Sequence, residues 1–310
     1  VPDLPAPRDL IALVRAPAAL SVPGDAIAGA AAAGTLGPRT GGLAAASICL
    51  YWAGMAANDW ADRDLDAIER PERPVPSGRV TPGQALAVAS GLTAAGLGIA
   101  ALAGGRRALA VAAPLAGAVW TYDLWAKDTA AGPPMMALCR GLDVLLGASG
   151  GRIRAALPAA LTMAAHTATV TALSRREVSG GSPALPGATL AATAAVAAAA
   201  ARRHGASAGP AAAARRQPVS RGWRAAPAGW PAAACVALAG WYAAWYGSAQ
   251  VRAAADPSAS RIRSAVGAGI TGMAPLQGAL TARAGNPVTG MAVAAAAPVA
   301  GLLTKRVSAT

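Results

Sequence analysis

The stretch GGLAAASICLYWAGMAANDWADRDLD, residues 41–66, decides the fold. Residues 41–57 carry no charge, and the run passes without a proline into Asn58-Asp59-Trp60-Ala61-Asp62-Arg63-Asp64-Leu65-Asp66. A hydrocarbon core about 30 Å thick needs about 20 apolar residues per crossing helix, so 41–57 reads as a membrane-crossing helix that ends in a polar, acidic turn. Comparable apolar stretches lie at 9–35, 81–103, 106–125, 133–150, 155–173, 183–201, 229–247 and 262–282, with a weaker one at 286–303. The expected fold is all-α: a polytopic transmembrane helical bundle of about nine helices, ten if the weak segment counts, forming one domain over 1–310.

Composition agrees. Of the 310 residues, 55% are hydrophobic and 13% charged, and Phe is absent. Ala, Gly, Val and Leu must therefore pack the helices by close backbone approach. The formal charge of +13 is spread over nearly every loop, without a basic domain or stacking platform, which argues against nucleic acid and for membrane lipid head groups and phosphate substrates. The Lys/Arg balance of the loops does not set the orientation. The first apolar segment lacks the charged-apolar-small layout of a cleaved signal. Cys49, Cys139 and Cys235 sit in apolar stretches with no ligand spacing and read as packing residues. His166 and His204 have no evident chemical partner. The Arg-rich stretch 202–228 reads as a solvated loop.

Polar clusters follow every second apolar segment, at 58–80, 122–132 and 174–182. Each crossing reverses direction, so parity places the three on one face of the bundle. Loops 36–40, 104–107 and 151–154 on the other face carry little besides Gly and Arg and read as connectors.

On a helix, Asn58, Asp62 and Asp66 recur every four residues along one face, about 6 Å apart. Hard oxygen donors at that spacing suit Mg²⁺, which keeps water and substrate phosphate in its shell. Carboxylates at a helix C-terminus also oppose its dipole and repel one another, so positive charge must offset them. Arg63, Arg70, Arg73 and Arg79 could do so as an ion-pair network, or a metal could do so. The run Arg70 to Arg79 contains three prolines and reads as a stiff cap over the acidic face, its arginines suited to phosphate or to lipid heads. Tyr122, Asp123, Trp125 and Lys127 form the second cluster. The aromatics suit a membrane boundary, and Lys127 suits either an anchor or a terminal phosphate. In the third cluster Arg175 and Arg176 are candidate phosphate contacts and Glu177 a candidate metal ligand, unless the segment only connects. Arg140 and Asp143, three apart within the fifth segment, are expected to pair. Ionisable groups at membrane depth are functional candidates, and Asp25 shares that status.

The pattern Asn58-Asp59-x-x-Asp62-x-x-x-Asp66, followed by the Arg-Pro-x-Arg-Pro-x-Pro-Ser-Gly run from Arg70, resembles the UbiA-type membrane prenyltransferases. The likeness extends through Tyr122 to Thr129. Ser174 to Ser182 and Arg263 to Ile270 resemble the EboC-like branch of that superfamily. The resemblance implies transfer of a prenyl group from a Mg²⁺-bound prenyl diphosphate to an aromatic or lipid-like hydrophobic acceptor. It makes Asn58, Asp62 and Asp66 catalytic metal ligands, with Asp59 of the same motif and Glu177 as further metal ligands. Arg63, Arg70, Arg73, Tyr122, Asp123, Lys127, Arg140, Arg175 and Arg176 become substrate contacts. The expected location is the cell membrane, with the Asp-rich face cytoplasmic. Arg175-Arg176-Glu177 stands where typical members carry a second aspartate-rich motif. A non-catalytic isoprenoid binder or carrier on the same scaffold is therefore the alternative.

Overall fold

The computed structural model describes residues 5–202 and 229–296. His204, most of the Arg-rich stretch and the end of the weak tenth segment lie outside the described residues. Within them the chain forms eleven α-helices and no strand: α1 (Pro7–Leu13), α2 (Pro23–Ala33), α3 (Pro38–Ala61), α4 (Arg63–Glu69), α5 (Pro82–Thr121), α6 (Gly132–Gly147), α7 (Ile153–Ser174), α8 (Ala184–Ala201), α9 (Trp230–Ala255), α10 (Ala259–Arg283) and α11 (Pro287–Ala294). Prolines open α1, α2, α3 and α5, where a missing N–H costs nothing and φ is already helical. Thr81 and Gln84 cap α5 reciprocally, Thr81 Oγ1 accepting from the Gln84 N–H at 3.2 Å and Gln84 Oε1 from the Thr81 N–H at 2.8 Å.

The expected break between 81–103 and 106–125 is a fold-back inside α5. Gly105 adopts φ 65°, ψ −156°, a conformation open to glycine. Beyond it Trp120 Nε1 donates to Thr93 Oγ1 at 3.1 Å. A straight helix would hold those two residues about 40 Å apart, so α5 is a hairpin of two crossings. The first segment, expected as one span over 9–35, is instead broken into α1, a 3₁₀ turn over Ala16–Ser21 and α2. The break falls at Arg15, which has the left-handed values φ 47°, ψ 51°.

Pro38–Ala61, Pro82–Ala126, Ile153–Ser174 and Ala184–Ala201 are long and apolar enough to cross a membrane. The segments expected at 133–150, 229–247 and 262–282 do form α6, α9 and α10, but α6 is short at 16 residues and all three carry polar groups turned inward. Arg140, Asp143, Gln250 and Gln277 are buried. Leu102, Leu138, Leu161 and Val236 point outward, as they do where the solvent is lipid.

Small residues set the packing distance. A Cβ on Gly29 would overlap the Val144 carbonyl, and one on Gly147 would overlap the Ala26 backbone. Helices α2 and α6 therefore meet backbone to backbone, as dense Ala/Gly content requires in lipid. α3 packs on the α5 hairpin, while α7 to α11 form the other half of the bundle. There the largest buried side chains, Tyr242 and Tyr246, lie edge-on to His166. His166 Nδ1 and the Tyr242 hydroxyl are 3.0 Å apart, which gives this histidine the packing partner that the sequence did not reveal. Cys49, Cys139 and Cys235 are free thiols.

Candidate active site

The three polar clusters meet on one face. α3 ends at Ala61, and Asp62 (φ −87°, ψ 3°) joins it to α4. Even so, the backbone bonds Asp62 N–H to Asn58 O (2.9 Å) and Asp66 N–H to Asp62 O (2.8 Å) continue the four-residue spacing across the joint. The acidic ladder divides here. Asn58 Nδ2 donates to Asp62 Oδ2 at 3.1 Å, and Lys127 Nζ lies 2.5 Å from Asp62 Oδ1 and 3.5 Å from Asn58 Oδ1. Asp66 turns the other way, with Arg73 at 2.6 Å and Arg70 at 3.7 Å. Asp59, which is 1% exposed, receives Arg15 at 2.6 Å and Arg73 at 3.5 Å.

Among the described residues, no group of three or more His, Cys, Asp or Glu side chains is gathered as a metal centre. Cations of the chain itself offset the carboxylates. The oxygen pair on Asn58 and Asp62 still suits a hard cation, because the Lys127 ammonium already bridges those two oxygens.

Lys127 reaches this position through an unusual turn. Tyr122–Ala126 is one π-helical turn, closed by the Lys127 N–H on Tyr122 O at 3.0 Å, a feature frequent at functional sites. It buries Asp123 and turns Lys127 inward, and it leaves Leu124 and Trp125 exposed at the rim. Asp123 fits because α3 has glycine opposite it: a Cβ on Gly54 would stand 2.8 Å from Val119 Cγ1 and 3.3 Å from Asp123 Oδ2.

The proline run does lie over the site. Val75 and Val80 are buried with Leu13, Ala56 and Ala57, Arg79 pairs with Asp9 of α1 at 2.7 Å, and the run presents Arg73 to both Asp59 and Asp66. Arg63 bonds Trp60 O at 3.0 Å, stacks over the Trp60 ring and pairs with Asp64, so it is engaged at the surface of its own turn. Arg175 donates to Thr129 O and thus joins the third cluster to the second. Arg176 lines a shallow cavity with Gly181, Ser182 and Ile262. The Glu177 carboxylate has no ion pair or hydrogen bond among the described residues.

Two outcomes differ from the sequence reading. Arg140 does not pair with Asp143. It reaches Asp25 of α2 at 3.0 Å, and Ser47 Oγ donates to Asp143 at 2.5 Å. The three-residue spacing put both groups on one face of α6, but the backbone contact of α2 with α6 brings a second carboxylate within reach. Gln277 completes the centre, donating to Asp25 at 2.8 Å and to Ser21 O at 2.7 Å. This centre is separate from the acidic ladder, because Ser47 lies about 16 Å along α3 from Asn58. Arg140 is thus deep in the bundle.

The second difference is Arg15, which the sequence reading placed inside an uninterrupted span. Its left-handed backbone turns the guanidinium onto Asp59, and Arg15 NH1 also lies 3.1 Å from the Met55 sulfur. A lone arginine followed closely by Pro17 within an apolar run was the available signal.

Fold and site together define an integral membrane protein of packed helices with an Asn/Asp-rich, cation-ringed polar centre at one end. The chain belongs to the UbiA prenyltransferase family, whose model matches residues 22–266. It is 37% identical over 132 residues to digeranylgeranylglyceryl phosphate synthase of Methanopyrus kandleri, covering 42% of this chain and 47% of that protein. It is 36% identical over 83 residues to the chloroplastic chlorophyll synthase of Oryza sativa subsp. japonica, covering 24% of this chain and 22% of that one. The matched region thus spans less than half the length of these curated relatives. In fold it is similar to an apo UbiA homolog from Aeropyrum pernix K1, with TM-score 0.58 and 20% identity, over 84% of this chain and 96% of that one. A structure described as giving insights into digeranylgeranylglyceryl phosphate synthase in membranes gives TM-score 0.61 at 14% identity, over 89% of this chain and 98% of that one.

Proposed function

We propose that this protein transfers a prenyl group from an allylic prenyl diphosphate to a hydrophobic acceptor, aromatic or lipid-like, within the membrane. One observation carries the reading: the Asn58/Asp62 oxygen pair is bridged by Lys127, beside Asp59 and Asp66, which hold Arg15 and Arg73, at the end of a bundle of apolar helices. Enzymes of this family are generally divalent-metal dependent. Mg²⁺, held by Asn58 and Asp62, would supply charge stabilisation for the departing diphosphate, and Asp66 would join as a ligand only on release from Arg73.

The chain's own residues do the remaining work. Lys127 moves from Asp62 to a phosphate oxygen, and Arg73 offers the donors that it does not spend on Asp66. Arg15 and Arg73 keep Asp59 anchored, so that it stays out of competition for the substrate's cations. Arg70 and Arg175 extend the positive rim. The buried apolar interior excludes water from the allylic centre, which strengthens these electrostatic contacts. We further propose that Asp123 positions Lys127, and that the protein resides in the cell membrane with this face cytoplasmic.

A second reading, an isoprenoid binder or carrier without chemistry, is favoured by the third cluster, where Glu177 is the only carboxylate. Pyrophosphate release by the purified protein in nanodiscs, with Mg²⁺ and then with EDTA, separates the two. Metal-dependent release that disappears in Asp62→Asn supports transfer. Donor binding without release, with candidate acceptors present, supports the carrier.

A further inference from the structure

The face opposite the acidic centre holds a pocket of its own. A cavity of about 440 Å³ opens there, lined by Thr35, Pro38, Arg39, Thr40, Arg107 and Ser149 among others, with no carboxylate in its wall. α3 starts at this pocket and ends at the acidic site, so its 24 residues separate the two by about 36 Å, enough to place them at opposite membrane interfaces.

Three features of the wall are suited to an anion. The first turn of α3 borders the cavity; Thr40 Oγ1 takes the Gly37 N–H at 3.1 Å, and the positive end of a long helix dipole faces the space. Arg39 and Arg107 have no ion pair or side-chain hydrogen bond among the described residues. A Cβ on Gly42 would stand 2.7 Å from Ala103 Cβ, so the start of α3 presses on the tip of the α5 hairpin and brings both guanidiniums to one mouth. The third feature lies deeper. Ser149 is 3% exposed, and its Oγ has no hydrogen-bond partner among the described residues. It faces Gly104, another residue of the wall, where an added Cβ would stand 3.4 Å from it. A buried hydroxyl without a partner loses free energy, and an oxygen acceptor in this cavity would restore the bond.

We propose that this pocket binds a phosphate group, as a phosphate ester of a lipid head group or as free phosphate. The arginines supply forked charged donors, Ser149 supplies a hydroxyl donor and α3 supplies its dipole. Arg106 beside the Gly105 fold-back of α5, Arg152 just before α7 and Arg154 in its first turn lie on the same side of the bundle and add to the positive field. The site is distinct from the acidic centre, and its occupancy does not require the diphosphate chemistry proposed there.

The test uses the full-length chain, delipidated in neutral detergent and titrated with dihexanoyl phosphatidic acid and, separately, with inorganic phosphate. Bound ligand is counted by native mass spectrometry and affinity follows from the thermal shift. Wild type should hold one more phosphate-bearing molecule than Arg39→Gln/Arg107→Gln, whose affinity at this site should fall about tenfold or more. Ser149→Ala should weaken binding by a smaller factor, about threefold. The same difference should persist in a Lys127→Gln/Arg73→Gln background, which removes anion binding at the other end. The double arginine variant should keep its melting temperature, because neither side chain is engaged in the fold. Binding of the lipid alone identifies a head-group site, and competition by inorganic phosphate identifies the phosphate itself as sufficient. A double variant that binds the same number of ligands as tightly as wild type, or a wild-type protein that binds neither probe, overturns the proposal.

Discussion

Lys127→Gln removes the ammonium that bridges Asn58 and Asp62, and its effect on metal binding should be opposite in sign to its effect on turnover. Unit charges 2.5 Å apart attract by about 7 kcal/mol at an effective dielectric of about 20. The two side chains are 12% and 22% exposed, and their dehydration and ordering offset most of that attraction. A net of about 1–2 kcal/mol is left for a partly buried charged hydrogen bond. A cation entering between the two oxygens must first displace Lys127 and lose that amount. In Lys127→Gln the displacement cost vanishes, so Mn²⁺ affinity without donor should rise about tenfold, read by electron paramagnetic resonance or titration calorimetry. Pyrophosphate release should fall sharply, by about 100-fold, because the departing phosphate loses a charged donor. Unchanged or weaker Mn²⁺ binding in the variant would refute the view that Lys127 occupies the cation's place in the free protein.

Other expectations follow from the same contacts. Arg140→Met leaves Asp25 and Asp143 buried without their cation and should destabilise the protein by about 3–5 kcal/mol, measured as a lowered melting temperature in detergent. Adding Asp25→Asn should recover part of that loss. Gly54→Ala places a methyl group against Val119 and Asp123 and should displace the π-helical turn, lowering turnover more than its cost in stability of about 1–3 kcal/mol. Arg15→Ala should leave Asp59 only the 3.5 Å contact with Arg73. The expected result is a several-fold weaker donor affinity, with Arg15→Lys recovering part of it in a donor-binding titration.

Residues 41–66 and the apolar segments around them were enough to read an all-helical membrane bundle, because solvation in hydrocarbon forces long uncharged helices whatever their neighbours. Parity alone brought 58–80, 122–132 and 174–182 to one face, and the Lys127–Asp62 and Arg175–Thr129 contacts join them there. Local pattern was also sufficient for the capping by the proline run and for the fold-back near residue 105. The partner of each charge was not legible in the same way. Arg140 and Asp143 satisfy a local spacing rule, yet Asp25 takes the guanidinium because Gly29 and Gly147 let α2 approach closely. Arg15 joins the acidic site only because one residue adopts a left-handed conformation, which turns an expected span into two short helices. The unpartnered Ser149 hydroxyl and the two arginines beside it come together only when the start of α3, the hairpin tip and the α6–α7 turn converge. Helix formation and burial in lipid depend on short-range sequence, which a single chain displays. Which charge meets which depends on backbone approach between distant helices, and tertiary packing decides that.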